Sequence, residues 1–241
     1  MNSQVEAFKS AHKWLVIPFL IAIIGFSNSY FLKFSEATWH QHMHGLSALL
    51  WYVMVIVQPY LISKGRIDQH RFYGLLSIFL AGAVTFSAIT IIAQNIESAN
   101  TYQPDPLIPK EFFYGVCFTD LLTTIGFGAS VIMGIVTRKS IEDHAFWMIS
   151  TVFWAIMPAL SRLGLMPILA IYGYPPPIDL IDINAYVAPL VVLTILFICW
   201  KLKKWHLSLI IVAIATIPFL FLRQIGRNEM WQEFVSSLLK Y

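Results

Sequence analysis

Two short stretches, Ile67-Asp68-Gln69-His70-Arg71-Phe72-Tyr73 and Ile141-Glu142-Asp143-His144-Ala145-Phe146-Trp147, decide how this chain is read. They align at an offset of 74 residues. Each follows a basic turn, Lys64 and Arg66 in the first case and Arg138 and Lys139 in the second, and each opens a long apolar run. Asp68, Glu142 and Asp143 stand where carboxylates complement a helix N-terminus. The aromatic pairs Phe72-Tyr73 and Phe146-Trp147 suit a membrane–water boundary. The copies therefore mark two helical hairpins that enter a membrane in the same sense, and any symmetry axis relating them runs along the membrane normal.

Composition supports a membrane reading of the whole chain. The 241 residues are 58% hydrophobic, 15% aromatic and only 12% charged, with a mean hydropathy of +0.69. Soluble domains carry roughly 25% charged residues, and one soluble core of this length cannot hide so much apolar surface. Disorder, a disulfide scaffold and an ordinary nucleic-acid-binding domain are excluded. Cys117 and Cys199 lie in apolar stretches near opposite membrane faces, too far apart to bridge.

Seven apolar stretches are long enough to span: 14–32, 43–63, 72–93, 113–136, 145–168, 185–200 and 206–222. The expected fold is an all-α, polytopic membrane protein forming a single membrane domain over 1–241. Its centre is a pseudo-twofold four-helix bundle of spans two to five, made of a first hairpin over 43–93 and a second over 113–168. Three further spans are added to it. The first span resembles a signal peptide but lacks a small-x-small cleavage site, and is read as retained. Lys9, Lys13, Lys64, Arg66, Arg71, Arg138, Lys139, Lys201, Lys203 and Lys204 fall on one side; Lys33, Lys110, Arg223, Arg227 and Lys240 fall on the other. The positive-inside rule then puts the N-terminus in the cytoplasm and the C-terminus outside, in a bacterial inner membrane. Outer loops carry Gln103-Pro104-Asp105-Pro106 and Pro175-Pro176-Pro177. The 223–241 tail places Trp231, Phe234, Val235, Leu238 and Leu239 at helical spacing, as an amphipathic segment lying in the interface or docked on the bundle.

Three constellations carry chemistry. His70 and His144 begin spans three and five, which the symmetry sets diagonally across the bundle. Two imidazoles facing each other there are the arrangement that holds a b-type haem. Trp39-His40-Gln41-His42-Met43-His44-Gly45 concentrates imidazoles on the outer side. If a helix starts at Ser35 or Glu36, then Glu36, His40 and His44 form one stripe; if the segment is extended, His40, His42 and His44 share a face by alternation. Either way His40, His42, His44 and Glu36 are the expected ligands of a transition metal. Asp120 and Arg162 are charges inside spans four and five at similar depth, and with His44 they are expected to make an outer-half polar pocket. Pro158, one turn before Arg162, removes the helical donor of the Trp154 carbonyl and favours a kink there.

The stretch from His40 to about Gly164 resembles a family of bacterial multi-span membrane proteins that has no assigned activity. The residues that carry the resemblance are His44, Gln58, His70-Arg71-x-x-Gly74, His144-x-x-Trp147-Met148 and Arg162. Where that family often has an arginine after the Trp-Met pair, this chain has Ile149-Ser150. In outline the bundle is also similar to four-helix membrane cytochromes b.

Phosphate-binding loops, GxSxG, HExxH and CxxC are absent from the sequence. The last span has no lysine for a retinal, and no basic run suits nucleic acid. Three readings of function remain: a redox or metal-binding protein holding haem b or a metal; a non-enzymatic transporter, receptor or accessory subunit using the Asp120–Arg162 pocket; and a metal-dependent membrane enzyme acting on a lipid or quinone. The expected partners are the lipid bilayer and a quinone, lipid or small-molecule ligand.

Overall fold

A computed structural model describes residues 8 and 10–238. Lys9, Leu239 and Lys240, used above for charge and for the tail, lie outside the described residues. The described chain is 84% helical and has no strands. A short helix, α1 (Ala11–Gly25), runs into a π-helical turn at Ser27–Phe31 and a 3-10 turn at Phe34–Glu36. Then come α2 (Trp39–Ser63), α3 (Ile67–Asn100), α4 (Lys110–Val136), α5 (Ile141–Tyr172), α6 (Leu180–Leu202) and α7 (Leu207–Gly226, which tightens to 3-10 at Ile217–Phe221). A last short helix, α8, covers Glu229–Ser237.

Six helices, α2 to α7, are long and apolar enough to cross a bilayer. The first stretch is shorter. The α-helix ends at Gly25, about 22 Å long at 1.5 Å per residue, and the π turn occupies the remainder of the predicted 14–32 span. Apolar side chains also point outward, including Phe72, Leu75, Phe79, Phe86 and Ile89 on α3 and Leu190, Leu193 and Phe197 on α6. A soluble protein does not leave such a face uncovered, whereas an integral membrane protein requires it.

Consecutive long helices are antiparallel neighbours. Helix α2 packs on α3, α3 on α4 and α4 on α5, and α2 also touches α5, so these four close a ring. Helix α1 lies against α5 and α2, α6 against α5, and α7 against α4, α5 and α6. One end of the bundle carries the basic turns at 64–66, 137–140 and 203–206; the other carries the loops at 101–109 and 173–179. We call these the basic end and the loop end.

Small residues set the closest approaches. A Cβ on Gly25 would strike the Ala159 carbonyl of α5, and one on Gly226 would strike the Glu111 carbonyl of α4. With no hydrophobic drive between helices in lipid, such close backbone packing is a main source of association.

Capping explains where the helices start. Thr38 and Gln41 form a reciprocal capping box on α2. Ser140 accepts from the Asp143 amide at the start of α5, and Asp179 accepts from Ile181 and Asp182 at the start of α6. Cys117 and Cys199 are buried and free.

Candidate functional site

The histidine cluster near residue 40 spreads apart. Helix α2 begins at Trp39, not at Ser35 or Glu36, because the Thr38 box supplies the stronger cap. Glu36 is left in the preceding 3-10 turn. Successive helical residues turn by about 100°, so His42 lies on a different face from His40 and His44. His42 Nδ1 bonds the Tyr30 hydroxyl at 2.9 Å and its ring packs on Phe34 at 4.4 Å. His44 turns inward, with Nδ1 3.2 Å from Ser87 Oγ, while His40 is exposed. Among the described residues, no group of three His, Cys, Asp or Glu side chains is placed to hold a metal ion. The expected metal set of Glu36, His40, His42 and His44 is therefore corrected: helical rotation disperses what the sequence concentrates.

At the basic end, His70 and His144 come together. Their ring centroids are 6.4 Å apart and the ring planes are nearly perpendicular, at 87°. His144 Nδ1 is 2.7 Å from the Gly134 carbonyl, which only accepts, so this nitrogen carries the hydrogen. His70 Nδ1 accepts from the Gln58 side-chain N–H, and the Gln58 side-chain oxygen accepts from the Gly74 N–H at 3.0 Å. The neighbouring His206 stacks on Phe146 at 4.7 Å and reaches Asp143 at 3.2 Å, and Lys204 pairs with Glu142 at 2.6 Å. The acidic residues of the second copy thus also tie the 203–206 turn to α5.

Toward the loop end, a cavity of about 690 Å³ runs inside the bundle. Asp120, Arg162 and His44 line it together, with Asn95, Tyr30, Tyr52 and Asn184. Its walls are otherwise mainly aromatic and aliphatic, Phe26, Phe112, Phe127 and Trp154 among them. At the mouth stand Thr38, Gln41, Glu97 and Thr101, all exposed. The volume is within the range of small-molecule sites, about 300–1,000 Å³.

The two charges do not form a direct ion pair. Asp120 Oδ2 accepts from Asn95 Nδ2 at 3.1 Å. Arg162 Nη1 donates to the Pro158 carbonyl at 3.0 Å, and its guanidinium lies 4.6 Å from the centre of the Phe26 ring. They remain close enough to attract one another. Each therefore lines the cavity with hydrogen-bonding capacity to spare: an unused carboxylate oxygen on one, unused N–H groups on the other.

A second layer steadies the walls. Ser161 Oγ donates to Asn184 Oδ1 at 2.7 Å and joins α5 to α6. Trp154 Nε1 donates to Ser130 Oγ at 2.8 Å, and Trp51 Nε1 to Thr151 Oγ1 at 2.9 Å. Asn95, Asn184 and Tyr52 were not singled out from the sequence. The asparagines do leave a trace there, as amides inside or beside apolar runs; Tyr52, one aromatic among many, leaves none.

Comparison of this chain with protein-family models, curated proteins and solved structures found no match.

Proposed function

We propose that this is a membrane-embedded ligand-binding protein, a small transporter, receptor or accessory subunit, whose site is the cavity around Asp120 and Arg162. One observation carries the reading: both charges line the same cavity, and each is held by a neutral group rather than by the other. Charges inside a bilayer are costly and face a partner or a water-filled space. A purely structural pair would close on itself.

The finer topology belongs to the same proposal. The first apolar stretch, α1 with its π turn, acts as a seventh span. The α2–α5 ring is a pseudo-twofold bundle built from the 74-residue repeat. The N-terminus is cytoplasmic and the C-terminus external in a bacterial inner membrane, which puts the cavity in the outer half. Membership of the bacterial multi-span family that the His44, His70 and His144 motifs resemble is part of the proposal too.

The test is chemical. The protein is purified and extracted, and the released small molecules are compared by mass spectrometry with those from Asp120→Asn. A compound present in near-equal amount to wild-type protein and lost from the variant is expected. Identical extracts from both proteins would overturn the reading.

A second reading, a haem held by His70 and His144, is supported by their 6.4 Å, near-perpendicular spacing. His144 donates its Nδ1 hydrogen to the Gly134 carbonyl, as ligating histidines commonly do, which leaves its Nε2 to bind. His70 Nδ1 instead accepts from Gln58, so His70 would ligate only with the Gln58 amide turned to accept its Nδ1 hydrogen. The Met148 side chain fills the space beside Gly134. The Gly74 flank is more open, its nearest neighbour standing 3.9 Å from where a Cβ would be. A visible spectrum before and after dithionite decides it. A reduced b-type band lost in His144→Ala supports this reading, and a colourless folded protein rejects it.

A further inference from the structure

The loop-end cavity contains an unsatisfied group that neither Asp120 nor Arg162 explains. Tyr52 is only 4% exposed, lines the cavity, and has a hydroxyl with no hydrogen-bond partner. Among the described residues it is the one buried side-chain oxygen or nitrogen in that position. Leaving such a group unmet is costly, and most buried polar atoms in native proteins are paired. Tyr52 also stands fourteenth in the 25-residue helix α2, near the middle of a span, where lipid offers no partner.

Helical side chains lean toward the N-terminus of their helix, so the Tyr52 ring leans toward the loop end and the level of His44. The cavity wall runs on α2 from the Thr38 cap to Tyr52, about 20 Å along the axis at 1.5 Å per residue. The site is therefore long. It is polar at the mouth, is lined partway down by Asp120, Arg162 and His44, and includes Tyr52 in its wall.

We infer that Tyr52 is a ligand-binding residue whose hydroxyl donates to a carbonyl-type oxygen of an elongated, uncharged amphiphile, the chemical class to which membrane quinones belong. Tyr52 and Arg162 are both donors in the wall of this one cavity, which matches a ligand with more than one acceptor oxygen. The aromatic walls match the flat face of a quinone ring. This inference rests on the cavity being a binding site, and it adds the identity of the deep anchor and the class of ligand.

The probe is decylubiquinone, titrated into purified protein while the tryptophan fluorescence, to which Trp154 in the cavity wall contributes, is followed. Dodecylbenzene, which has a ring and a chain but no oxygen, serves as the control. Saturable quenching by the quinone and none by the control is expected. In Tyr52→Phe the dissociation constant should rise about tenfold, the loss of one hydrogen bond. Ligand-free Tyr52→Phe should melt at or above wild type, because the change removes an unmet hydroxyl rather than a bond. Equal affinity in wild type and Tyr52→Phe would overturn the role of Tyr52 and leave the cavity reading standing. No saturable binding to wild type would overturn the quinone class. A ligand-free Tyr52→Phe that melts below wild type would show that the hydroxyl serves the fold instead. Failure of the cavity reading itself is seen separately, in identical extracts from wild type and Asp120→Asn.

Discussion

The imidazoles of His70 and His144 lie 6.4 Å apart although 74 residues separate them in the chain. Their helices, α3 and α5, are not neighbours in the four-helix ring, and the two side chains meet across it. Each is tied to the hairpin partner of its own helix, His70 to Gln58 of α2 and His144 to Gly134 of α4. The pair fastens both hairpins at the basic end. His144→Ala should therefore lower stability by about 1 kcal/mol, the net worth of one hydrogen bond, seen as an earlier thermal transition in detergent. An unchanged transition would mean that the Gly134 carbonyl finds another donor.

A charged clamp holds α7 to the start of α6. Arg223 Nη2 donates to Asp179 Oδ2 at 2.7 Å and to Asp182 Oδ1 at 3.0 Å. Because Asp179 also caps α6, Arg223→Met leaves that cap with an unanswered charge. A loss of about 1–2 kcal/mol is expected, reduced from the value for a buried pair because the arginine is partly exposed. Arg223→Lys should restore only part of it: both bonds come from the single Nη2, and a lysine ammonium on its differently shaped stem does not stand where that nitrogen does. Full rescue by lysine would argue for a simple charge effect.

Helix contact through glycine predicts a different failure. Gly25→Ala forces a methyl group into the Ala159 carbonyl, and Gly226→Ala does the same at the Glu111 carbonyl. Either change should cost about 1–3 kcal/mol, with α1 or α7 loosened from its neighbour. Limited proteolysis at the flanking segments would report it. By contrast, Gly82→Ala faces open space and should be harmless or mildly stabilising.

The loop end has an acid-sensitive knot. Asp105 Oδ1 receives the Leu107 N–H at 2.7 Å, the Ile108 N–H at 3.1 Å and the Tyr174 hydroxyl at 3.0 Å. Burial acts to raise this carboxyl, but the three donors outweigh it and hold it below its ordinary value. A depressed acid stabilises the fold above its unfolded-state pKa, near 3.8, and loses that contribution as pH falls through the folded value. Wild type should therefore melt above Asp105→Asn at neutral pH, with the gap closing below about pH 4. A gap that does not change with pH would assign the effect to shape rather than charge.

Much of this architecture is legible in the residues themselves. The long apolar runs mark α2 to α7, and the seven-residue copies at Ile67 and Ile141 mark where two helices open, four or five residues before the apolar runs at 72 and 145. Asp120 and Arg162 stand out because charge is scarce inside spans. The histidine cluster misleads for a local reason: Thr38 and Gln41 cap the helix three residues after Ser35, and that small shift removes Glu36 from the stripe. Asn95 as the partner of Asp120, and Tyr52 as an unmet hydroxyl, depend on which helix faces meet. That is set by packing across the ring, and no spacing along one chain segment reports it.

The open mouth of the cavity has a bearing on how the chain enters the bilayer at all. Through Thr38, Gln41, Glu97 and Thr101, water at the headgroup layer has a path inward to Asp120 and Arg162. Hydration by that path would let both groups be inserted without a direct ion pair between them. Bulky substitutions that plug the mouth, such as Thr101→Trp, would strand both ions in a dry interior. They would be expected to fail at biogenesis, before any ligand is met.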